Sequence, residues 1–303
     1  MNILKLIEKY FWAVLLSALA IGMLLPEYGK DLEPMLTPIL MLILFFVFLK
    51  TDYLLILKQF KNPTFIIYIL TLFLIIIPSA TYLIMSSIDE NLAIGLLLLA
   101  ATPPAVAAPV LTDIVKGDRS LSLAIVIPSY LFAPIVIPLM FSFWTGARLD
   151  IDGVGMSKVL LLMIFIPLVA SQIVKRLGAS RIIKKTEEYF GGINILLVGA
   201  IVFVAISMQA DFIKENPEKI TTNLAWVYGL FVIMQIAGYL SGFWRKKEDK
   251  LALAITKGYP NNALATVLAL QFFTPGIVII TVLSQFPWNT LIGPSKWVSK
   301  HLK

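Results

Sequence analysis

Two short stretches of this 303-residue chain combine prolines with side chains that bind ions. The first, residues 102–113, holds three prolines within seven residues and ends on a hydroxyl and a carboxylate. The second, residues 257–262, holds a lysine, a proline and two asparagines. Proline has no backbone N–H and its ring clashes with the preceding turn, so a helix entering either stretch breaks there. The free N–H groups and carbonyls at such a break attract anions and cations respectively, which predicts a binding centre for charged ligands.

Both stretches interrupt long apolar runs, so we expect the breaks to lie inside a membrane. The chain is 59% hydrophobic and 14% charged, with a mean hydropathy of +0.88, whereas a soluble domain carries roughly 25% charged residues. The predicted fold class is therefore an all-α polytopic membrane protein with the lipid bilayer as its partner. Two interrupted spans in matching halves of such a chain point to the binding site of a transporter.

The composition also excludes several kinds of chemistry. The chain has no Cys, and its one His, His301, lies in a basic tail. Disulfides, thiolate metal sites and Cys nucleophiles are excluded, and a His-based metal or acid–base site is not expected. An intramembrane enzyme would need such groups at membrane depth, so we predict no enzymatic activity, no cofactor and no metal ligand set.

Apolar runs of about 20 residues each predict ten membrane spans. The spans are 6–25, 35–49, 64–85, 91–117, 121–144, 159–173, 193–208, 224–243, 251–273 and 277–297. Spans 4 and 9 contain the two breaks, and the prolines inside spans 3 and 5, Pro78, Pro128 and Pro134, are expected to kink them. The basic, amphipathic segment 50–61 is expected to lie along the membrane surface.

Lys and Arg are concentrated at both ends of the chain and in alternate loops. The opposite loops hold few, among them Lys30, Arg148, Lys214 and Lys219. By the positive-inside rule, both termini are predicted to be cytoplasmic in a plasma-membrane protein. The net charge of +7 is thus interpreted as an orientation signal, and no nucleic-acid partner is expected.

The chain also shows an internal repeat of layout. Pro104 and Pro260 are 156 positions apart, and the same offset carries spans 2 to 5 onto spans 7 to 10. Five spans is an odd number, so the second half enters from the opposite side of the membrane. This predicts two inverted repeats, residues 1–150 and 151–303, each of five helices.

Two charged residues flank the breaks. Lys257 precedes the second break within an apolar stretch, and Asp113 follows the first. One interpretation is that they meet across a crossing of the two helices, since a charge at membrane depth is usually paired or functional. The other is that each lies at the membrane interface, because Lys257 is only seven positions past Lys250 and Asp113 three before Lys116.

The order and spacing of these motifs resemble the bile acid:sodium symporter family in its microbial ten-helix form. The resemblance covers nearly the whole chain. It rests on segments 32–42, 61–78, 102–122 and 133–138, on KGYPNNALA at 257–265, and on Trp288, Asn289 and Gly293. It implies a panel domain of helices 1, 2, 6 and 7, and a core domain of helices 3–5 and 8–10 in which helices 4 and 9 cross at their breaks. It also implies alternating-access transport of a small organic anion, with two sodium sites behind the crossing.

The sodium ligands of that family are poorly represented in this chain. Ala108 and Pro109 stand where the family has Ser-Asn. The family's third-helix Gln falls on Phe73, its ninth-helix Glu and Gln on Thr256 and Pro260, and its fifth-helix Thr on Val126, while Ser122 and Asn261 match. Because acidic and amide oxygens are missing, the coupling ion stays open between sodium as a bound cofactor, a proton, and no ion. One hypothesis is that the Lys257 ammonium replaces the bound cation permanently; another is that it titrates as a proton carrier.

These considerations define the predicted site. The substrate-binding candidates are Val106, Thr112, Asn261, Asn262, Asn289 and Thr290, and the ion-coupling candidates are Lys257, Asp113, Ser122 and Thr256. Two alternatives stay open: a proton-coupled or ion-independent exporter of the arsenite- or auxin-efflux type, and a membrane receptor that does not transport. The missing membrane Cys disfavours arsenite, and the oligomeric state cannot be read from the sequence.

Overall fold

The computed structural model describes residues 3–50, 63–146 and 152–302. The interfacial segment predicted at 50–61 lies almost wholly outside the described residues, as does Arg148. The described residues are almost entirely helical and contain no β-strand. The helices in chain order are α1 (Ile3–Lys9), α2 (Phe11–Leu24), α3 (Pro26–Lys30), α4 (Leu36–Lys50), α5 (Pro63–Thr71), α6 (Ile77–Met85), α7 (Glu90–Ala101), α8 (Ala108–Ile114), α9 (Arg119–Thr145), α10 (Gly153–Val174), α11 (Ser180–Thr186), α12 (Phe190–Met208), α13 (Ala210–Glu215), α14 (Pro217–Leu240), α15 (Lys247–Gly258), α16 (Asn262–Phe272), α17 (Pro275–Leu283), α18 (Gln285–Thr290) and α19 (Ile292–His301).

Six helical stretches in the described residues are long and apolar enough to cross a membrane. They are Glu33–Lys50, Pro63–Met85, Arg119–Thr145, Gly153–Ala179, Arg181–Met208 and Pro217–Leu240. Two bent pairs, α1 with α2 and α17–α18 with α19, raise the number to eight. The fold class thus agrees with the all-α polytopic prediction. Ten crossings, and with them the inverted repeats, stay a prediction, because α7 and α16 reach full span length only together with α8 and α15.

The two bent pairs modify spans 1 and 10. Span 1 was expected to start at Leu6, but α1 and α2 meet at an angle of 82°, so the straight apolar helix begins at Phe11. Span 10 was expected to be continuous, but it bends by 44° before Ile292. Amphipathic helix ends and short loops of this kind carry no strong sequence signal, because each bend depends on the surface against which the helix packs.

The prolines inside the third and fifth spans act differently from one another. Helix α9 runs unbroken through Pro128, Pro134 and Pro138. The chain before Pro78 instead widens into one π-helical turn, Leu72–Ile76, which joins α5 to α6. A π turn bonds each carbonyl to the fifth residue onward instead of the fourth, and such turns are frequent at functional sites.

The described helices pack in two groups. Helices α2, α4, α10 and α12 pack on one another, and α5–α9 pack with α14–α18. The groups meet where α12 and α4 contact α16 and where α9 contacts α10. Helix α7 is buried along its apolar length from Leu92 to Ala101, and α16 is buried from Asn262 to Ala269. The two broken spans therefore lie in the interior of the molecule, although the panel and core domains stay a prediction.

The close approach of α14 to α15 depends on one glycine. A Cβ on Gly238 would lie 2.4 Å from the carbonyl oxygen of Leu253 and 2.9 Å from Cα of Ala254, whereas a Cβ on Gly229 of the same helix would meet nothing within 4 Å. We expect Gly238→Ala to lower the free energy of unfolding by about 1–3 kcal/mol because the backbones must separate. Gly229→Ala is the matched control and should leave the stability unchanged or raise it. Thermal unfolding of the purified variants measures this, and equal melting temperatures would contradict the packing of α14 on α15.

Candidate functional site at the two helix breaks

The two breaks contact each other through their backbones. The Ala105 N–H donates to the Tyr259 carbonyl at 2.7 Å, and the Asn261 N–H donates to the Pro103 carbonyl at 2.9 Å. These bonds make Pro104 and Pro260 partners in an isolated antiparallel bridge. Backbone groups left without helical partners in the membrane interior would be costly, so the breaks satisfy each other.

Asn261 fixes the start of the second half of the later broken span. Its Oδ1 accepts from the Leu264 N–H at 3.1 Å, which caps α16, and its Nδ2 donates to the Tyr130 hydroxyl on α9 at 2.7 Å. Asparagine is a preferred N-cap because its side-chain oxygen satisfies one of the orphan N–H groups of the first turn. Both ends of the predicted substrate ligand Asn261 are thus engaged in holding the break.

Asn262 differs from its neighbour because its side chain is buried without a partner. The residue is 4% exposed, and neither Oδ1 nor Nδ2 has a hydrogen bond in the structure. Thr266, four positions later and 1% exposed, has an equally unpartnered hydroxyl. Residues four apart share one face of a helix. A buried polar group without a partner costs about 1–3 kcal/mol, so this face of α16, beside its N-terminus, has hydrogen-bonding capacity that the described residues do not use.

Lys257, at the end of α15, turns into the protein interior. The residue is 5% exposed. Its Nζ donates to the Phe73 carbonyl at 2.6 Å and to the Ala100 carbonyl at 2.7 Å, and lies 5.7 Å from the centre of the Phe73 ring. That last distance is within the range of a cation–π contact. No described carboxylate forms an ion pair with it.

Prolines leave both of these carbonyls without a helical partner. The usual partner of the Ala100 carbonyl would be the N–H of residue 104, which is Pro104. The usual partner of the Phe73 carbonyl is Ile77, but the π turn directs the Ile77 N–H to the Leu72 carbonyl. The next candidate, Pro78, has no N–H. The position of the lysine ammonium is therefore set by two prolines, Pro78 and Pro104, and one π turn in the two neighbouring spans.

The remaining ion-coupling candidates lie in two different environments. The Thr256 hydroxyl donates to the Ser122 hydroxyl at 2.8 Å, and both residues are fully buried. Asp113 instead forms a surface ion pair with Arg119 at 2.9 Å, and its side chain is 45% exposed. The structure therefore does not bring Asp113 to Lys257, and the ion pair across the crossing is not formed. Among the described residues, no cluster of three or more His, Asp or Glu suits a metal ion.

The polar side chains of the other substrate candidates already have hydrogen-bond partners within the protein, unlike the side chain of Asn262. The Thr112 hydroxyl donates to the Ala108 carbonyl at 2.8 Å, and the Asn289 Nδ2 donates to the Gln285 carbonyl at 2.6 Å. Thr290 donates to the Phe286 carbonyl and contacts the Tyr228 hydroxyl, and it is exposed. Val106 is half-buried beside the first break.

Three contributors to the centre escaped the sequence analysis: Thr266, Tyr130 and the Phe73 carbonyl. Thr266 had a signal, since it is a hydroxyl one turn after Asn262 in an otherwise apolar helix. The carbonyl also had one, because Pro78 five positions later removes a donor. Tyr130 had none, because its distance in sequence from Asn261 hides the contact.

Comparisons with known proteins agree with the arrangement. The chain is 26% identical over 212 residues to the uncharacterized sodium-dependent transporter YocS of Bacillus subtilis, which covers 68% of this chain and 63% of the relative. The uncharacterized protein YbaS of the same organism is 23% identical over 193 residues, or 63% of each chain. The chain is also 20% identical over 213 residues to the probable sodium/metabolite cotransporter BASS1 of Arabidopsis thaliana chloroplasts, or 68% of this chain and 51% of that one.

These matches span less than two thirds of the length of each relative. The activities named for the relatives are therefore not assigned to this chain. A broader match comes from a family of membrane transporters. The sequence model of that family covers residues 9–283, which includes both breaks, Lys257 and the Ser122–Thr256 pair. The resemblance drawn from the motifs is confirmed, and the chain belongs to the SBF-like CPA transporter family.

Proposed function

We propose that this protein is a secondary active transporter that moves a small organic anion across the plasma membrane by alternating access, with both termini cytoplasmic. The observation that carries the proposal is the pair of helix breaks bonded to each other in the interior, with Asn262 and Thr266 unpartnered beside them. Membership of a transporter family supports it. An enzyme of the membrane interior is the less favoured alternative, because the sequence has no Cys and its one His, His301, lies in the basic tail.

The positive charge of the centre favours an anion as the substrate. The N-terminus of α16 carries partial positive charge, and the ammonium of Lys257 lies buried on the neighbouring α15 with carbonyl partners only. No described carboxylate neutralises it. A substrate with a carboxylate would meet the amide nitrogen of Asn262, the hydroxyl of Thr266 and this positive potential.

Alternating access requires the two helix groups to separate on one side at a time. Gln271 lies in the last turn of α16, and its Nε2 donates to the Thr37 hydroxyl of α4 at 2.8 Å. This bond joins the two groups at the end of α16 opposite to Asn262. We propose that it is one of the contacts that breaks when the centre opens toward that side.

The proposal is tested by ligand binding and by flux. A thermal-shift screen of mono- and dicarboxylates, with their amides as neutral controls, identifies ligands because a ligand stabilises the state that it binds. A stabilising carboxylate is then tested by counterflow in proteoliposomes. Counterflow of the labelled acid into loaded vesicles, absent for the amide, is the expected result. Binding without counterflow would identify a receptor and contradict the proposal.

Removing the unpartnered polar group of Thr266 or Asn262 should weaken ligand binding without lowering the stability of the ligand-free protein. In Thr266→Val the hydroxyl is replaced by a methyl of the same size, so the ligand-free protein should melt at the same or a higher temperature. Binding of the carboxylate found in the screen should weaken by about tenfold, the loss of roughly one hydrogen bond to a charged group. The same test applies to Asn262→Leu.

Thr281→Val is the matched control, because the Thr281 hydroxyl is equally buried but donates to the Val278 carbonyl within its own helix. It should leave carboxylate affinity unchanged. If Thr266→Val keeps full affinity, or if both valine variants lose it equally, the polar face of α16 is not the ligand site.

The proposed orientation is tested with single cysteines, which the absence of native Cys makes simple. Lys184 lies in the basic segment and Lys214 in an opposite loop, and both are exposed. A membrane-impermeant maleimide applied to intact cells should label Lys214→Cys and leave Lys184→Cys unlabelled until the cells are opened. The reverse pattern would show the opposite orientation.

A further inference from the structure

The buried amine of Lys257 has a role that transport of an anion does not by itself require. A charge removed from water is costly unless it is paired and hydrogen-bonded. This ammonium is compensated by backbone carbonyls and one aromatic face. The side chain thus behaves toward its surroundings as a small cation does toward a carbonyl-lined site.

The surroundings would constitute a cation site if the side chain were absent. The Ala100 carbonyl lies in the last turn of α7, where the helix dipole places partial negative charge. The Phe73 carbonyl is freed by the π turn and Pro78. Unwound carbonyls and half-helix C-termini are the groups that coordinate coupling cations in transporters with broken helices. Lys257 delivers an ammonium to these groups from the last turn of α15.

The neighbouring hydroxyls of Thr256 and Ser122 do not form a second cation site. Thr256 and Ser122 donate and accept between themselves at 2.8 Å, adjacent in sequence to Lys257. Two hydroxyls alone are too few oxygen ligands for a metal ion, and the described residues contain no cluster of three or more Asp, Glu or His that would complete a set. The donor set therefore does not fit sodium at either place.

We propose that the Lys257 ammonium is a resident cation: it permanently occupies the carbonyl site between the π turn and the end of α7, so that no free metal ion binds there. The structure favours this over a proton carrier, because the amine is buried against two carbonyls and pairs with no described carboxylate that could take up its proton. The consequence for coupling rests on the proposed transport function. The occupancy of the carbonyl site by Lys257 is independent of the transport function, and it is measured without substrate.

The first test uses the unmodified protein. A cation that binds the folded state raises its melting temperature with increasing concentration. The wild-type protein in detergent should melt at the same temperature in sodium chloride and in choline chloride at equal ionic strength. A saturable sodium-dependent rise would overturn the proposal, whatever the outcome of any transport assay.

The second test empties the site. Lys257→Ala removes the amine and three methylenes, which leaves two buried carbonyls unpaired, and the melting temperature should fall by about 5 °C or more. n-Propylammonium matches the deleted atoms and should restore most of the loss, while neutral 1-propanol should not. Failure of n-propylammonium to stabilise folded Lys257→Ala would overturn the proposal.

Two further variants keep the second test interpretable. Lys257→Met retains the length of the side chain without the charge, so it should be destabilised and should not respond to n-propylammonium, because the space is filled. Lys250→Ala, in the same helix, removes an amine that lies 4.9 Å from the centre of the Tyr239 ring, and no response to n-propylammonium is expected. A response of Lys250→Ala equal to that of Lys257→Ala would show a nonspecific effect and contradict the assignment.

Discussion

The structure depends on one constraint: a lysine charge buried in the membrane interior must be matched by acceptors that no helix uses. Prolines provide those acceptors. Pro104 leaves the Ala100 carbonyl free, and Pro78 with the π turn leaves the Phe73 carbonyl free. The bonds tie three spans together at the level where two of them are broken. The same prolines that interrupt the helices therefore also stabilise the interruption, because they direct its carbonyls toward Lys257.

In this arrangement the helix ends at the breaks differ in partial charge: carbonyl groups lie at one end and amide N–H groups at the other. The carbonyl end of α7 and the π turn before α6 share the lysine ammonium. The amide end of α16 carries Asn262 and, one turn later, Thr266, whose polar groups have no protein partner. The freed carbonyls thus bind a cation that belongs to the chain, whereas the amide end of α16 has no anion from the chain. Relatives of this chain carry names that include sodium, whereas this chain places its own ammonium between the Phe73 and Ala100 carbonyls.

The sequence predicted features that depend on local chemistry and missed those that depend on direction. Both breaks were found because prolines beside polar side chains interrupt apolar runs there, and Asn261 was found because it follows the second break and matches an Asn of the family. The partner of Asp113 was not found, because Arg119 and Lys257 are equally plausible counter-charges until the helices are placed. Whether Lys257 points inward or to the surface likewise depends on carbonyls from residues 73 and 100. Pro128, Pro134 and Pro78 look alike in sequence, but only the last follows a π turn.

The central claim is that the cation of this carrier is part of its own chain. The most direct measurement is counterflow of the identified carboxylate in proteoliposomes with sodium present and with sodium fully replaced by choline on both sides. If Lys257 is the resident cation, the rates are equal in the two media. A strict requirement for sodium would contradict the account.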